Sequence, residues 1–206
     1  MAQYPPVLLA STNPAKVARL RRLLEPLEIA TIDLTALPPR PAPEETGDTF
    51  PANARIKAAY WSNFHDGEVI ASDGGVTIPA LGHHWDRLMT GRAAGPGSTD
   101  AGRAEHLLSL MRDRTGEERR VAWTEALAVA QRGVAVAAWE ASGTEGRLTE
   151  RYDPAGAIPG FWIYSLWLFP TAGKRYIELD ARDLAKLDLT WNRLGEEVQR
   201  WWRARP

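Results

Sequence analysis

Apolar positions in the first half of the chain fall into short runs that alternate with helical repeats. Val7-Leu8-Leu9-Ala10 is one such run, and Ser11-Thr12-Asn13-Pro14 follows at once. Asn13 is a favourable helix N-cap, and Pro14 suits the first helical position, where a missing N–H costs nothing. Val17, Leu20, Leu23 and Leu24 then recur at helical spacing as far as Pro26. Strand, polar turn, helix is the opening unit of an α/β protein. Residues 29–34 read as a second strand, and the Pro-rich stretch 37–43 as a surface connection. A second helix is predicted from Thr49 or Phe50 to about Trp61, with Pro51 in its first turn. Val69-Ile70-Ala71 reads as a buried strand that ends at Ser72-Asp73-Gly74-Gly75. A third helix fits residues 100–111, with Leu107, Leu108 and Met111 on one side. Residues 120–130 and 134–141 read as long strands joined by the hairpin signal Gln131-Arg132-Gly133. Residues 161–169 look like an aromatic strand, and 189–202 have helical apolar spacing. Internal repeats and low-complexity segments are absent.

Composition narrows the class. The chain of 206 residues suffices for one sizeable domain, and 44% hydrophobic with 25% charged residues is a globular balance. A formal net charge of −1 argues against a broad basic surface for polymeric nucleic acid, while leaving room for a local basic pocket. With no cysteine, disulfides, thiolate catalysis and cysteine-ligated zinc are excluded, and a cytoplasmic location is expected. Met1 to Pro6 lacks a basic start leading into an apolar core, so no secretory leader is predicted, and no apolar run is long enough for a membrane span. Most of the nine tryptophans are expected in the core or at interfaces.

Three polar clusters sit where strands hand over to helices or turns, the usual place for ligands in open α/β sheets. In Ser11-Thr12-Asn13-Pro14-Ala15-Lys16, free backbone N–H groups and the helix dipole suit a phosphate, and Lys16 adds a full charge. In the second cluster, Glu45 precedes a Gly-containing turn, and Asn53 and Lys57 share a helix face. A carboxylate, an amide and an ammonium there suit magnesium plus phosphate. In the third, Asp73 is followed by Gly74 and Gly75, which permit close approach to a ligand or metal. Taken singly, each cluster also fits a plainer reading: a capped helix with a solvated lysine, an acidic turn, a common Asp-Gly-Gly turn. The adjacent His83 and His84 fit a loop better than a metal site, because no third ligand has suitable spacing.

Together, the order and spacing of the three clusters resemble the inosine triphosphate pyrophosphatase family. Its opening Ser/Thr-x-Asn-x-x-Lys turn matches Ser11 to Lys16. Its Glu-x-Gly-x-Thr-Phe-x-Glu-Asn-Ala-x-x-Lys-Ala matches Glu45 to Ala58, save that Ala52 replaces the second glutamate. Its Ala-Asp-Asp-Ser-Gly-Leu appears as Ala71-Ser72-Asp73-Gly74-Gly75-Val76, with Ser72 in place of the first aspartate. Later motifs depart further: Phe161 is retained, the Tyr-Asp pair after it is not, and the family's Ser-His-Arg falls on Thr190-Trp191-Asn192, with Arg193 one place late.

The resemblance implies an α/β fold with a mixed central sheet and flanking helices in two lobes around a cleft, one pyrophosphatase-like domain over the chain, and a homodimer. It implies cleavage of a nucleoside triphosphate such as ITP, dITP or XTP to the monophosphate and pyrophosphate. Glu45 and Asp73 would bind Mg²⁺, with Asp73 alternatively orienting or deprotonating the attacking water. Lys16 and Lys57 would neutralise developing charge. Ser11, Asn13, Asn53 and Gly74 would contact substrate, Phe161 would stack on the base with help from Trp162 or Trp191, and Lys186, Asn192 and Arg193 would complete the base-reading segment. Two other readings stand beside this one: a nucleotide-binding protein that has lost catalysis, and a pyrophosphatase for an ordinary or modified deoxynucleoside triphosphate.

Overall fold

The first helix begins as its sequence dictates. The Asn13 side chain accepts hydrogen bonds from the backbone N–H groups of Ala15 and Lys16, and helix α1 (Pro14–Leu24) follows. Thr49 caps α2 (Phe50–Trp61) in the same manner, bonding the Ala52 N–H. The computed structural model describes residues 5–205; Met1 to Tyr4, on which much of the leader reading falls, lie outside the described residues.

Strands β1 (Val7–Leu9), β2 (Thr31–Asp33), β3 (Val69–Thr77), β4 (Arg120–Gln131), β5 (Val134–Leu148), β6 (Trp167–Phe169) and β7 (Lys174–Arg175) form a mixed sheet in the order β2-β1-β3-β4-β5-β6-β7. β1 lies parallel to both β2 and β3, with Leu9 opposite Ile70. The remaining helices are α3 (Asp100–Leu110), α4 (Ala181–Leu187) and α5 (Leu189–Arg203). Arg132 and Gly133 both have positive φ, 50° and 79°, so β4 and β5 are joined by a two-residue turn of the type whose twist matches paired strands.

The chain forms two compact units, each made of separated segments. The first contains residues 1–74, 125–141 and 191–206. Within it the connection from β1 through α1 steps outward to β2, and the connection through α2 returns past β1 to β3. Right-handed crossovers in opposite directions place α1 and α2 on opposite faces. Packing agrees: Leu20, Leu23 and Leu24 of α1 share a core with Val7, Leu9, Ile70, Leu127 and Val129, and with Trp191, Leu194 and Val198 of α5. Side chains alternate along a strand, so Leu8, Val69 and Ala71 line the other face.

The second unit contains residues 75–124 and 142–190. Its centre is aromatic: Trp123, Phe161, Tyr164, Trp167 and Phe169 are buried and meet one another mostly in edge-on and tilted contacts. Arg119 is buried with them, and its guanidinium donates to the carbonyls of Met111, Arg114, Leu148 and Thr149 at 2.8, 3.0, 2.9 and 2.6 Å. Burial pulls its pKa down, opposed by Glu150.

Four expectations need correction. β3 does not end at Ser72 but runs on to Thr77, which puts Asp73 inside a strand. Residues 161–169 are mostly not a strand: Trp162–Leu166 form a 3-10 turn, and only Trp167–Phe169 pair. β5 extends past residue 141 to Leu148. α4, which carries Lys186, was not foreseen. The tryptophan expectation holds, since six of the nine are buried and Trp139, Trp201 and Trp202 pack half-buried against the first unit's core.

Candidate active site

The first unit holds most of the expected polar residues, on the turn that follows β1, on α2 with the loop before it, and within β3. Ser11 leaves β1, and its hydroxyl accepts from the Asn13 N–H at 3.1 Å. Asn13 in turn occupies the N–H groups of Ala15 and Lys16, at 3.0 and 3.2 Å. The free helix-terminal donors expected for a phosphate are therefore already bonded within the turn. What α1 offers an anion is its dipole and the Lys16 ammonium.

The Lys57 ammonium joins the second and third clusters. It lies 2.7 Å from Asp73 Oδ1 and 3.4 Å from Glu45 Oε1. The other oxygen of Asp73, Oδ2, is buried and has no hydrogen-bond partner among the described residues. An unpartnered buried carboxylate oxygen is costly, and such atoms call for an explanation such as an ion or ordered water. Here the atom sits beside a second carboxylate and an ammonium, and all three side chains are mostly buried.

Asn53 was expected to touch substrate. It is buried, and its Oδ1 accepts from the Gly47 N–H at 2.8 Å, so its observed task is to hold the loop that carries Glu45. Position 47 must be glycine for this contact: a Cβ there would lie 2.7 Å from both Asn53 Oδ1 and Ala52 Cβ. Gly47→Ala is expected to swing Glu45 away from Lys57 and lower kcat/KM about tenfold or more while α2 stays folded; steady-state kinetics with circular dichroism as the folding control checks this.

One residue escaped the sequence reading. Glu125 on β4 is fully buried, and its Oε1 lies 2.9 Å from the Lys16 ammonium. The signal was present as a lone carboxylate in the otherwise apolar run Val121 to Ala130, broken besides only by Thr124. Two ion clusters result: Lys57 between the carboxylates of Glu45 and Asp73, with a net negative balance, and Lys16 against the single carboxylate of Glu125. Gly74 follows Asp73 within β3.

The base-reading candidates are placed differently. Trp191 is buried in the apolar core of the first unit, with Arg19 stacked 5.1 Å from its ring. Asn192 is half-buried and Arg193 exposed on α5. Phe161 and Lys186 belong to the second unit, Phe161 buried against Trp123 and Tyr164, Lys186 exposed on α4. Thr190, beside Trp191, is fully buried, where it donates to the Trp123 carbonyl and accepts from the Thr144 N–H. His83 and His84 lie in an exposed 3-10 turn, and no group of three metal-binding side chains occurs among the described residues.

Comparison with known proteins decides the family, because the model of the Ham1 family matches residues 7–186. The chain belongs to the Ham1 family. A protein of Thermus thermophilus named dITP/XTP pyrophosphatase is 34% identical over 183 residues, covering 87% of this chain and 84% of its own length. One of Exiguobacterium with the same name is 29% identical over 179 residues, covering 87% of this chain and 88% of its own length. Among solved structures, the HAM1 protein of Coxiella burnetii superposes with a TM-score of 0.75 at 26% identity, covering 95% of this chain and 99% of that one. The Staphylococcus aureus Ham1 protein, at 21% identity and a TM-score of 0.74, covers 94% of this chain and 98% of its own and shares the fold. The resemblance read from the three motifs and the mixed α/β fold it implied are both borne out. Among the described residues, no helix is long and apolar enough to cross a membrane.

Proposed function

We propose that this Ham1-family chain is a Mg²⁺-dependent nucleoside triphosphate pyrophosphohydrolase that acts on purine triphosphates such as dITP, ITP or XTP. The observation that carries the reading is the buried, unpartnered Oδ2 of Asp73 beside Glu45 and Lys57. Relatives 34% identical bear the name dITP/XTP pyrophosphatase, which supports the substrate class.

Magnesium fits this donor set. It takes hard oxygen ligands and commonly uses one or two carboxylates with water and phosphate filling the rest. Glu45 and Asp73 would hold it, and because these two carboxylates face the one ammonium of Lys57, a triphosphate enters favourably there only with added positive charge. When bound, the ion supplies charge stabilisation to the triphosphate oxygens. The chain does the rest. Lys57 turns its ammonium from carboxylates to phosphate oxygens, Lys16 presents its own beside them, and the α1 dipole favours the anion beside Ser11. Asp73 Oδ2 accepts a hydrogen bond from the attacking water and aligns it with the α-phosphorus. A new P–O bond forms there, the α–β anhydride bond breaks, and pyrophosphate leaves with the bridging oxygen. Triphosphate and water become monophosphate, pyrophosphate and a proton. The lack of cysteine suits a cytoplasmic location, and a homodimer is carried over from the resemblance; sedimentation checks the latter.

Pyrophosphate release by the purified chain, across ITP, XTP, dITP and the four common deoxynucleoside triphosphates with and without Mg²⁺, tests the reading. Higher kcat/KM for the deaminated purines is the expected result. Equal or better turnover of a common triphosphate would move the substrate assignment. Binding without release would make the chain a nucleotide binder, a reading that the burial of Trp191 and the loss of carboxylates at positions 52 and 72 favour.

A further inference from the structure

Ser72 is 3% exposed, and its hydroxyl has no hydrogen-bond partner among the described residues. It stands where the family motif carries the first of two aspartates. Alternation along β3 fixes its direction: Ile70 packs in the core beneath α1, so Ser72, two residues on, projects to that same face. On β4, the neighbouring strand, Leu127 and Val129 belong to the same core, so Glu125 projects to that face too. Asp73 points to the opposite face, toward Lys57 of α2. Lys16 extends from α1, above β1, to Glu125 on β4, and β3 lies between those strands. The Lys16–Glu125 pair therefore spans β3 on the face that Ser72 occupies.

We propose that Glu125 is a positioning residue that replaces, from the adjacent strand, the carboxylate missing at position 72. It holds the Lys16 ammonium over β3 and keeps it aimed at the triphosphate. The fully buried carboxylate has its counter-charge in Lys16, whose side chain is 15% exposed, so the pair is largely shielded from water without being sealed off. A carboxylate restored at position 72 would compete for the same ammonium. This assignment rests on the pyrophosphohydrolase reading for its catalytic consequence, but its geometry does not.

The test is a double-mutant cycle of Ser72→Asp and Glu125→Gln. It is read as the affinity for a non-hydrolysable α,β-methylene dITP with Mg²⁺, as kcat and KM for dITP, and as melting temperature. Glu125→Gln is expected to weaken analogue affinity and kcat/KM by about ten- to a hundredfold, the range for losing an outer partner of a site group. Ser72→Asp should reverse sign with background. It should weaken binding and lower the melting temperature in the wild type, where two carboxylates then face one ammonium. In Glu125→Gln it should recover both, at least about tenfold in affinity. An isosteric variant too unstable to assay alone is still informative, because the double variant must then fold and bind. If Ser72→Asp has the same sign in both backgrounds, or the double variant is no better than Glu125→Gln, the relocation is overturned. Absence of turnover in the wild type would overturn the functional reading instead, leaving the binding and melting arms of the cycle to decide the role of Glu125.

Discussion

Asp73→Asn is expected to lower kcat at least about a hundredfold, the scale of removing one strong electrostatic contributor. The substitution keeps the shape of the side chain, so β3 and its packing should persist. The amide oxygen can still accept from Lys57, which already bonds Oδ1 at 2.7 Å. The change falls on the other atom: the buried, unpartnered Oδ2 becomes an NH₂ group, a donor where the site needs an acceptor. That group neither aligns a water by accepting its hydrogen bond nor ligates a cation. Meanwhile the site sheds one negative charge, which favours the anionic substrate. Hence kcat and kcat/KM should fall while KM stays level or drops, the pattern of an interaction made in the transition state. Steady-state pyrophosphate release with a matched melting curve reads this directly. Near-normal kcat would sink the assignment of the site.

The largest effect on stability is expected at Arg119. One guanidinium satisfies four carbonyls, at the end of α3 and beyond and at the end of β5. Arg119→Met keeps much of the apolar stem and removes all of these donors. Four buried or partly buried acceptors lose a charged partner, and hydrogen bonds to charged groups each contribute about 1.5–3 kcal/mol before relaxation and water entry recover part. A loss of roughly 3–5 kcal/mol is expected, or about 10 °C in melting temperature for a chain of this size. Thermal unfolding followed by circular dichroism checks it. A shift under about 2 °C would mean that water replaces the guanidinium at little cost. kcat in the folded variant should change far less than in Asp73→Asn, because every bond made by Arg119 lies within the second unit.

How much of this was legible depends on whether the cause was local. Asn13-Pro14 and Thr49-Phe50-Pro51 announce their helices because caps act within three residues, and both helices start where those caps stand. The turn at Arg132-Gly133 was legible for the same reason. Position 73 looked like a strand end because Gly74-Gly75 resembles a turn. Pairing with neighbouring strands, which no local window shows, carries β3 through the glycines. The aromatic run from Phe161 looked like a strand, but residues 162–166 form a 3-10 turn whose rings pack in a cluster with partners distant in sequence such as Trp123, which no local window shows. Glu45, Lys57 and Asp73 were legible as site residues because two neighbouring motifs carry them, the first two in one and Asp73 in the next. Glu125 was missed because its partner lies 109 positions away and only the fold brings Lys16 to it.

The interleaving of the two units also bears on how the molecule is made. Trp191, Leu194 and Val198 on α5 complete the core that α1 and β1 begin. On a ribosome, that early framework emerges long before the helix that seals it. Leu20, Leu23 and Leu24 would then remain without their full apolar cover until α5 has emerged, an interval in which a chaperone or a premature self-association competes for the same surface.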